Sequence, residues 1–251
     1  MLFNDTVLFL HAPKTAGMAI TQFLTDNLPG PVILTEPLNV FDPSVRLPAV
    51  VRAKLEVKRV MMRVGVWYPR HVKVMEGKRH ERLDEARDML AQIGRGLEDF
   101  RRILAVVRNP YDLEVSRYHF LRLGYHGVRG VTRGREQQLA MELNFEQFAI
   151  RAGYAGRNPA RIEEWYEIDG RMPDNMRILR FETLEDDLRD ALSDVCSAAV
   201  RLPHVNTTDH APYKAYLTPR AENAIFRKYR WLFDRGFYPR EPMKMARRGV
   251  A

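Results

Sequence analysis

Short apolar runs alternate with longer segments of helical spacing along this chain. Apolar or alternating runs predict strands at residues 7–10, 30–36, 71–76, 103–107 and 176–181. Apolar residues at helical spacing predict helices that begin near residue 17 and that cover residues 49–63, 83–93, 110–123, 144–168 and 219–234. Strands that alternate with helices are typical of parallel sheets. We therefore expect a three-layer α/β fold with a central, mostly parallel sheet flanked by helices.

Two segments between the predicted elements lack a regular pattern. Residues 37–48 contain three prolines and are expected to be irregular. Residues 124–138 carry four glycines and three arginines, which indicates a mobile basic loop. Such a loop either closes over an anionic substrate or is a plain connection. We expect one domain over residues 1–240, followed by a flexible basic tail over residues 241–251.

Composition narrows the class of protein. An apolar fraction of 45% is ordinary for a globular chain of 251 residues. The net charge of +8 favours anionic partners such as a nucleotide, an acidic glycan, a nucleic acid or a membrane surface. The single cysteine, Cys196, excludes a disulfide within the chain. No apolar run is long enough to cross a membrane, so we expect a soluble, cytoplasmic protein, with peripheral membrane contact left open.

Residues 7–20, VLFLHAPKTAGMAI, place a lysine and a hydroxyl group at a strand-to-helix turn. The first turn of a helix has unpaired backbone N–H groups and a partial positive charge, so it attracts anions. Lys14 adds a positive charge and Thr15 a hydroxyl group, and Gly17 would let a ligand approach the backbone closely. The turn therefore indicates a cradle for a phosphate-like group, although an ordinary turn with a solvated lysine remains the alternative.

The turn departs from the loop that binds nucleoside triphosphates. That loop follows the pattern G-x-x-x-x-G-K-[ST], in which a glycine precedes the lysine. Pro13 stands at that position before Lys14, and no glycine lies five residues earlier. The sequence therefore disfavours Mg²⁺-ATP as the ligand.

A second strand-to-helix junction carries another candidate anion site. Arg108 follows the apolar run 103–107, Asn109 is a good N-cap, and Pro110 is a good first helical residue. Ser116 follows on the helix, eight residues after Arg108. A guanidinium group and a hydroxyl group so placed could clamp a second phosphate. The alternative is a surface ion-pair residue and an ordinary helix serine.

The two junctions together resemble those of sulfotransferases that use 3′-phosphoadenosine 5′-phosphosulfate (PAPS). HAPKTAGMA is similar to the 5′-phosphosulfate loop, and is closest to the carbohydrate branch with its heparan-sulfate 2-O- and chondroitin-type enzymes. That loop has Thr or Ser where this chain has Met18. VVRNPYDLEVSRY is similar to the 3′-phosphate motif of the same family. The resemblance implies a P-loop-like fold, PAPS as donor and no metal.

Carried over by position, the resemblance assigns residues to the donor. It places the 5′-phosphosulfate on one set of consecutive residues, namely Lys14, Thr15, Ala16, Gly17 and Met18. It places the 3′-phosphate on Arg108 and Ser116. Weaker similarities put Phe181 near the adenine, and Asn206, Thr207 and Lys214 elsewhere near the donor. Golgi members carry a transmembrane stem that this chain lacks, so the resemblance favours a soluble, bacterial-type member over a shortened Golgi enzyme.

The function implied is transfer of a sulfuryl group to a hydroxyl group of a carbohydrate or glycolipid, with Lys14 stabilising the leaving group. Histidine suits the base because its usual pKa is near neutrality. His80 follows the predicted strand 71–76 and is ranked first. His71 is second because its stretch YPRHV is similar to one of uronyl 2-O-sulfotransferases, but it would begin the strand. Glu76 is third.

Two other functions compete with sulfuryl transfer as interpretations of the sequence. A small-molecule kinase with a degenerate P-loop would use Lys14 and Thr15, but the missing glycine argues against it. A basic nucleic-acid-binding protein would need aromatic residues interleaved with a basic stripe, whereas the basic residues here are dispersed. We therefore expect no nucleic-acid partner.

Overall fold

The computed structural model describes residues 1–38, 42–65, 68–196, 198–203 and 210–240. The strands are β1 (Leu2–Phe3), β2 (Val7–Leu10), β3 (Val32–Glu36), β4 (Val72–Glu76), β5 (Arg102–Val107) and β6 (Met176–Arg180). The helices are α1 (Gly17–Asn27), α2 (Ala49–Arg63), α3 (Leu83–Ala91), α4 (Pro110–Arg122), α5 (Arg135–Glu142), α6 (Phe145–Arg151), α7 (Leu184–Leu192), α8 (Pro219–Lys228) and α9 (Arg230–Asp234). No helix in these ranges is long and apolar enough to cross a bilayer.

Contacts within the chain divide it into two compact units. The first unit comprises residues 1–108 and 163–207 and contains the sheet. The second comprises residues 109–162 and 208–251 and contains α4, α5, α6, α8 and α9. Our expectation of one domain over residues 1–240 stays a prediction, and the proposed tail lies outside the described residues.

The first unit is built on a six-stranded sheet with the order β4-β3-β1-β2-β5-β6. β2 pairs in parallel with β5, β5 with β6, and β3 with β4. β1 lies between β2 and β3 and is antiparallel to both. All strands except β1 therefore run in the same direction and end at one edge, which we call the carboxyl edge. This confirms the predicted α/β fold with a mostly parallel sheet flanked by helices.

The core of this unit explains why its strands are continuous apolar runs. One face of the sheet packs against α1 and α7, and the packed residues include Phe9, Leu104, Val106, Ile20, Phe23, Leu184 and Leu188. Neighbouring strand residues point to the other face, and Leu8, Ile103 and Ala105 are buried there as well. Strands buried on both faces lose the alternation of a half-exposed strand.

The second unit holds a buried charged cluster. Glu114 of α4 is fully buried and accepts hydrogen bonds from Arg117, Lys228 and Tyr229. Arg117 also donates to Glu136 of α5 at 2.9 Å. Each buried charge therefore has a partner of opposite sign, which offsets the cost of removing it from water.

Most predicted boundaries agree with the structure, but two predicted helices and one predicted loop are corrected. The helix predicted over 144–168 is wrong after Arg151, where two glycines and a proline favour turns over 152–161. Beyond them only the short 3₁₀ helix Ile162–Trp165 is helical, and residues 166–168 are not. The last long helix is interrupted at Tyr229, which has the non-helical angles φ −111° and ψ 27°. The predicted loop 124–138 ends earlier than expected, because α5 begins at Arg135. Strand β1 was not predicted.

Candidate functional site

The carboxyl edge of the sheet gathers polar side chains from successive strands. At least one such residue follows or ends each of the first four parallel strands: His11 after β2, Glu36 at the end of β3, Arg79 and His80 after β4, and Arg108 after β5; the aromatic Phe181 follows β6. All of them belong to the first unit. Ligands of open α/β sheets bind outside the carboxyl ends of the strands, so this edge is the candidate site.

The turn between β2 and α1 is sharply curved. Lys14 and Ala16 both adopt left-handed backbone conformations, with φ 65° and φ 61°. Non-glycine residues rarely do so, and such strain is concentrated at functional sites. The buried Thr15 hydroxyl donates to the Ala12 carbonyl oxygen at 2.9 Å and so holds the turn. To donate to a ligand, that hydroxyl would have to turn away from Ala12.

Because Gly17 has no side chain, the ring of another residue, His11, fits beneath the turn. A Cβ atom at this position would lie 1.7 Å from Cδ2 of His11. The ring of His11 is buried and stacks on Phe9, with ring centroids 6.0 Å apart. We expected Gly17 to let a ligand approach the backbone; in the structure its missing side chain accommodates the histidine ring beneath the turn.

His80 lies beside His11 in an orientation that determines which nitrogen of the His80 ring carries the proton. His80 Nδ1 is 2.8 Å from the carbonyl oxygen of His11, which can only accept a hydrogen bond. Nδ1 therefore carries the proton, and Nε2 of the neutral ring is left as a proton acceptor. Burial lowers the pKa of His80, outweighing this hydrogen bond, and it lowers the pKa of His11 well below its usual value. Both rings are neutral at pH 7.

Arg108 connects the two junctions that the sequence analysis identified. Its Nη1 donates to the carbonyl oxygen of Lys14 at 2.9 Å. Its guanidinium carbon lies 4.0 Å from the centre of the Phe181 ring, a cation–π contact. Burial, and then the charge of Arg108, lowers the pKa of Lys14 to about 8. Two cations held close together in a partly buried turn form a local field that attracts anions.

A second polar cluster, which the sequence patterns do not predict, lies at this edge. Arg79 binds the buried carboxylate of Glu36, with Nε 2.9 Å from Oε2, and Tyr68 donates to Oε1 at 2.8 Å. Arg79 Nη1 also lies 3.5 Å from the sulfur of Met18. Burial raises the pKa of Tyr68. Glu36 ends a predicted strand, so the strand-end rule could have identified it.

The structure brings most of the predicted site residues of the first unit to the carboxyl edge. Those present are Lys14, Thr15, Ala16, Gly17, Met18, His80, Arg108 and Phe181. Glu76 ends β4 at the same edge and is exposed. His71 is not brought there: it precedes β4 at the opposite edge, where its Nε2 is 2.8 Å from the Thr25 carbonyl oxygen.

The remaining predicted residues lie elsewhere. Ser116 is buried in α4, and Lys214 is exposed in the short helical turn Tyr213–Tyr216; both belong to the second unit. Asn206 and Thr207 lie outside the described residues. The predicted roles of these four residues stay predictions.

Comparison with known protein families gives a match to the middle part of the chain. A family model described as a sulfotransferase domain matches residues 97–198. This match supports the assignment of the chain to a sulfotransferase family. It includes Arg108, Ser116 and Phe181 but not the turn that contains Lys14. The sulfotransferase match also suggests that the chain is a transferase. Comparisons with curated proteins and with solved structures found no match.

The packing of His11 under Gly17 gives a prediction. Gly17→Ala should lower the free energy of unfolding by about 1–3 kcal/mol, because the new methyl group collides with the His11 ring. In a His11→Ala background the same substitution should cost nothing, because the ring is absent. Urea denaturation of the four proteins measures both effects. An equal cost in the two backgrounds would contradict the assignment.

Proposed function

We propose that the chain transfers a sulfuryl group from PAPS to a hydroxyl group of a carbohydrate or glycolipid. The observation that carries this proposal is the hydrogen bond from Arg108 to the Lys14 carbonyl oxygen, 2.9 Å long. The two residues are 94 positions apart and were identified from separate motifs. Their contact supports the view that both motifs serve one anionic ligand.

The chemistry of the edge suits a nucleotide with two charged ends. Lys14 and Arg108 supply two positive charges, and the first turn of α1 supplies backbone N–H groups that lack helical acceptors. Arg108 offers a planar fork that matches phosphate geometry. PAPS, when bound, supplies the sulfuryl group and leaves as adenosine 3′,5′-bisphosphate. In this proposal Ser116 adds a hydroxyl group to the 3′-phosphate site.

Each site residue has one role in the proposed reaction. Lys14 places its charge where the leaving group becomes negative, an interaction that strengthens in the transition state. Nε2 of His80 receives the proton of the attacking hydroxyl group, since its Nδ1 is already committed to His11. Arg108 positions the nucleotide. Positioning and electrostatics dominate such group transfers, as they do in phosphoryl transfer.

The cluster of Arg79, Glu36 and Tyr68 supports a polyhydroxylated acceptor. It contacts Met18 of the donor turn and joins the partly exposed Tyr68 and Arg79 through the buried carboxylate of Glu36 in one network. Sugars are bound by such mixed donors and acceptors, and the loop resembles that of the carbohydrate branch. The family match over 97–198 favours sulfuryl transfer over the kinase alternative.

The direct test is transfer of ³⁵S from labelled PAPS to a panel of glycans and glycolipids. We expect label in at least one hydroxyl-bearing acceptor. In parallel thermal-shift assays, adenosine 3′,5′-bisphosphate should stabilise the chain, whereas Mg²⁺-ATP and oligonucleotides should not. Stabilisation by Mg²⁺-ATP alone would favour the kinase, and stabilisation by oligonucleotides alone would favour a nucleic-acid-binding protein.

The role proposed for Arg108 predicts that replacing it reduces the preference of the chain for a 3′-phosphorylated nucleotide. Arg108→Ala should weaken binding of adenosine 3′,5′-bisphosphate by about 10- to 100-fold, because a charge-assisted hydrogen bond to the 3′-phosphate is lost. Binding of adenosine 5′-monophosphate should change far less. Isothermal calorimetry measures both, with Arg177→Ala, an exposed arginine on β6, as the control. Equal weakening of the two nucleotides would defeat the assignment.

The site also predicts a bell-shaped pH profile of kcat/KM for the donor. On the acid side activity should fall only below pH 6.5, because burial lowers the pKa of His80 and keeps the base neutral. On the alkaline side it should fall above pH 8, because Lys14, with a pKa of about 8, loses its charge. Initial rates across this pH range measure both limbs.

Two variants test separately the residues assigned to the alkaline and acid limbs of the pH profile. Lys14→Arg should shift the alkaline limb upward, since arginine stays protonated. His80→Asn should lower kcat by about 10²–10⁴-fold. An alkaline limb unmoved by Lys14→Arg would remove Lys14 from this role, and full turnover by His80→Asn would transfer the role of base to Glu76.

A further inference from the structure

Helix α2 exposes a row of apolar side chains. Val50, Val57 and Val60 of this helix, and Val64 at its C-cap, are between 53% and 67% exposed. Their spacing of seven, three and four residues places them on one side of the helix, and the exposed Ala53 falls in the same row. We call these five residues the valine stripe.

The valine stripe is a second apolar face. The opposite side of α2 carries Val51, Leu55 and Met62, of which Met62 is buried and the other two are partly buried. A surface helix of a globular protein ordinarily has one apolar face, directed at the core. The additional face therefore indicates contact with something outside this chain.

Positive charges border the stripe on both sides. Helical geometry puts Lys54 on one flank and Arg52 and Arg63 on the other, and all three side chains are exposed. Glu56, the only acidic residue of α2, lies between the stripe and Arg63 on that second flank, and its ion pair with Arg59 at 2.5 Å offsets its charge. An apolar row bordered by cations along its length is the pattern of helices that lie in a membrane interface.

We propose that α2 docks on an anionic lipid surface, with the valine stripe in the acyl boundary and the flanking cations on lipid headgroups. A second copy of this chain fits less well, because two stripes face to face would bring their flanking cations together. Protein interfaces also depend on large aromatic or arginine anchors seated in pockets, whereas the stripe contains only valine and alanine. Long basic side chains, by contrast, reach headgroups readily.

The position of α2 links such docking to the candidate site. Lys58 lies on the inward side of this helix, and the charges of Arg79 and Glu36 act on it. Docking through α2 would therefore hold the carboxyl edge near the lipid surface. If the proposed function holds, this placement favours a glycolipid over a free glycan as acceptor; the docking itself does not depend on that function.

Vesicle flotation of the full chain tests the proposal. The chain should float with vesicles of phosphatidylcholine mixed with phosphatidylglycerol, bind pure phosphatidylcholine vesicles weakly, and dissociate as salt is raised. The stripe variant Val57→Ser/Val60→Ser should bind the mixed vesicles about tenfold more weakly. The charge variant Arg52→Gln/Lys54→Gln should also lose about tenfold and should show a flatter salt dependence.

The flotation experiment also needs a matched control variant and a test that every variant is folded. Ile93 and Ile150, each 45% exposed, lie outside α2, so Ile93→Ser/Ile150→Ser should bind vesicles like the unmodified chain. Thermal unfolding verifies that each variant is folded. The proposal is overturned if the chain does not bind mixed vesicles at low salt, if the control loses as much binding as the stripe variant, or if sedimentation shows a dimer that the stripe variant dissociates. The assay needs neither nucleotide nor acceptor, so its failure is distinct from failure of the proposed function.

Discussion

Strands that run in the same direction must end at the same edge of a sheet, and the candidate site depends on this constraint. Among the six strands that the described residues form, β1 alone runs the other way, and it lies between β2 and β3. Because β1 pairs with both, β2 and β3 remain parallel about 10 Å apart, twice the usual strand spacing. His11 and Glu36 consequently face the same edge from either side of β1.

The edge holds cations at the turn before α1 and a pair of neutral histidines beside them. Lys14 and Arg108 carry positive charge at the turn before α1, where an anion would be held. His11 and His80 share a buried environment that keeps both rings neutral. A site that binds a multiply charged donor and also removes a proton needs both kinds of environment close together. The hydrogen bond from His80 to the His11 carbonyl oxygen connects the neutral histidines to the backbone that leads into the turn with Lys14.

Sequence patterns predicted those features that depend on nearby residues. β2 and β5 are continuous apolar runs because both faces are buried, and α4 begins where Asn109 and Pro110 predict it. Lys14 and Arg108 were found because each belongs to a local motif. The contacts of Glu36 with Arg79 and Tyr68 join residues 43 and 32 positions apart, and no local pattern reports them. β1 is two residues long and has no periodicity to detect.

The ring of His11 beneath Gly17 has a consequence for ligand affinity. The turn rests on protein atoms, so its curvature does not require a ligand to support it. A loop already ordered in this way does not subtract the entropy of its own ordering from the free energy of association. Affinity for an anion at this turn then reflects the charges and N–H groups that meet it, because the scaffold is preorganised.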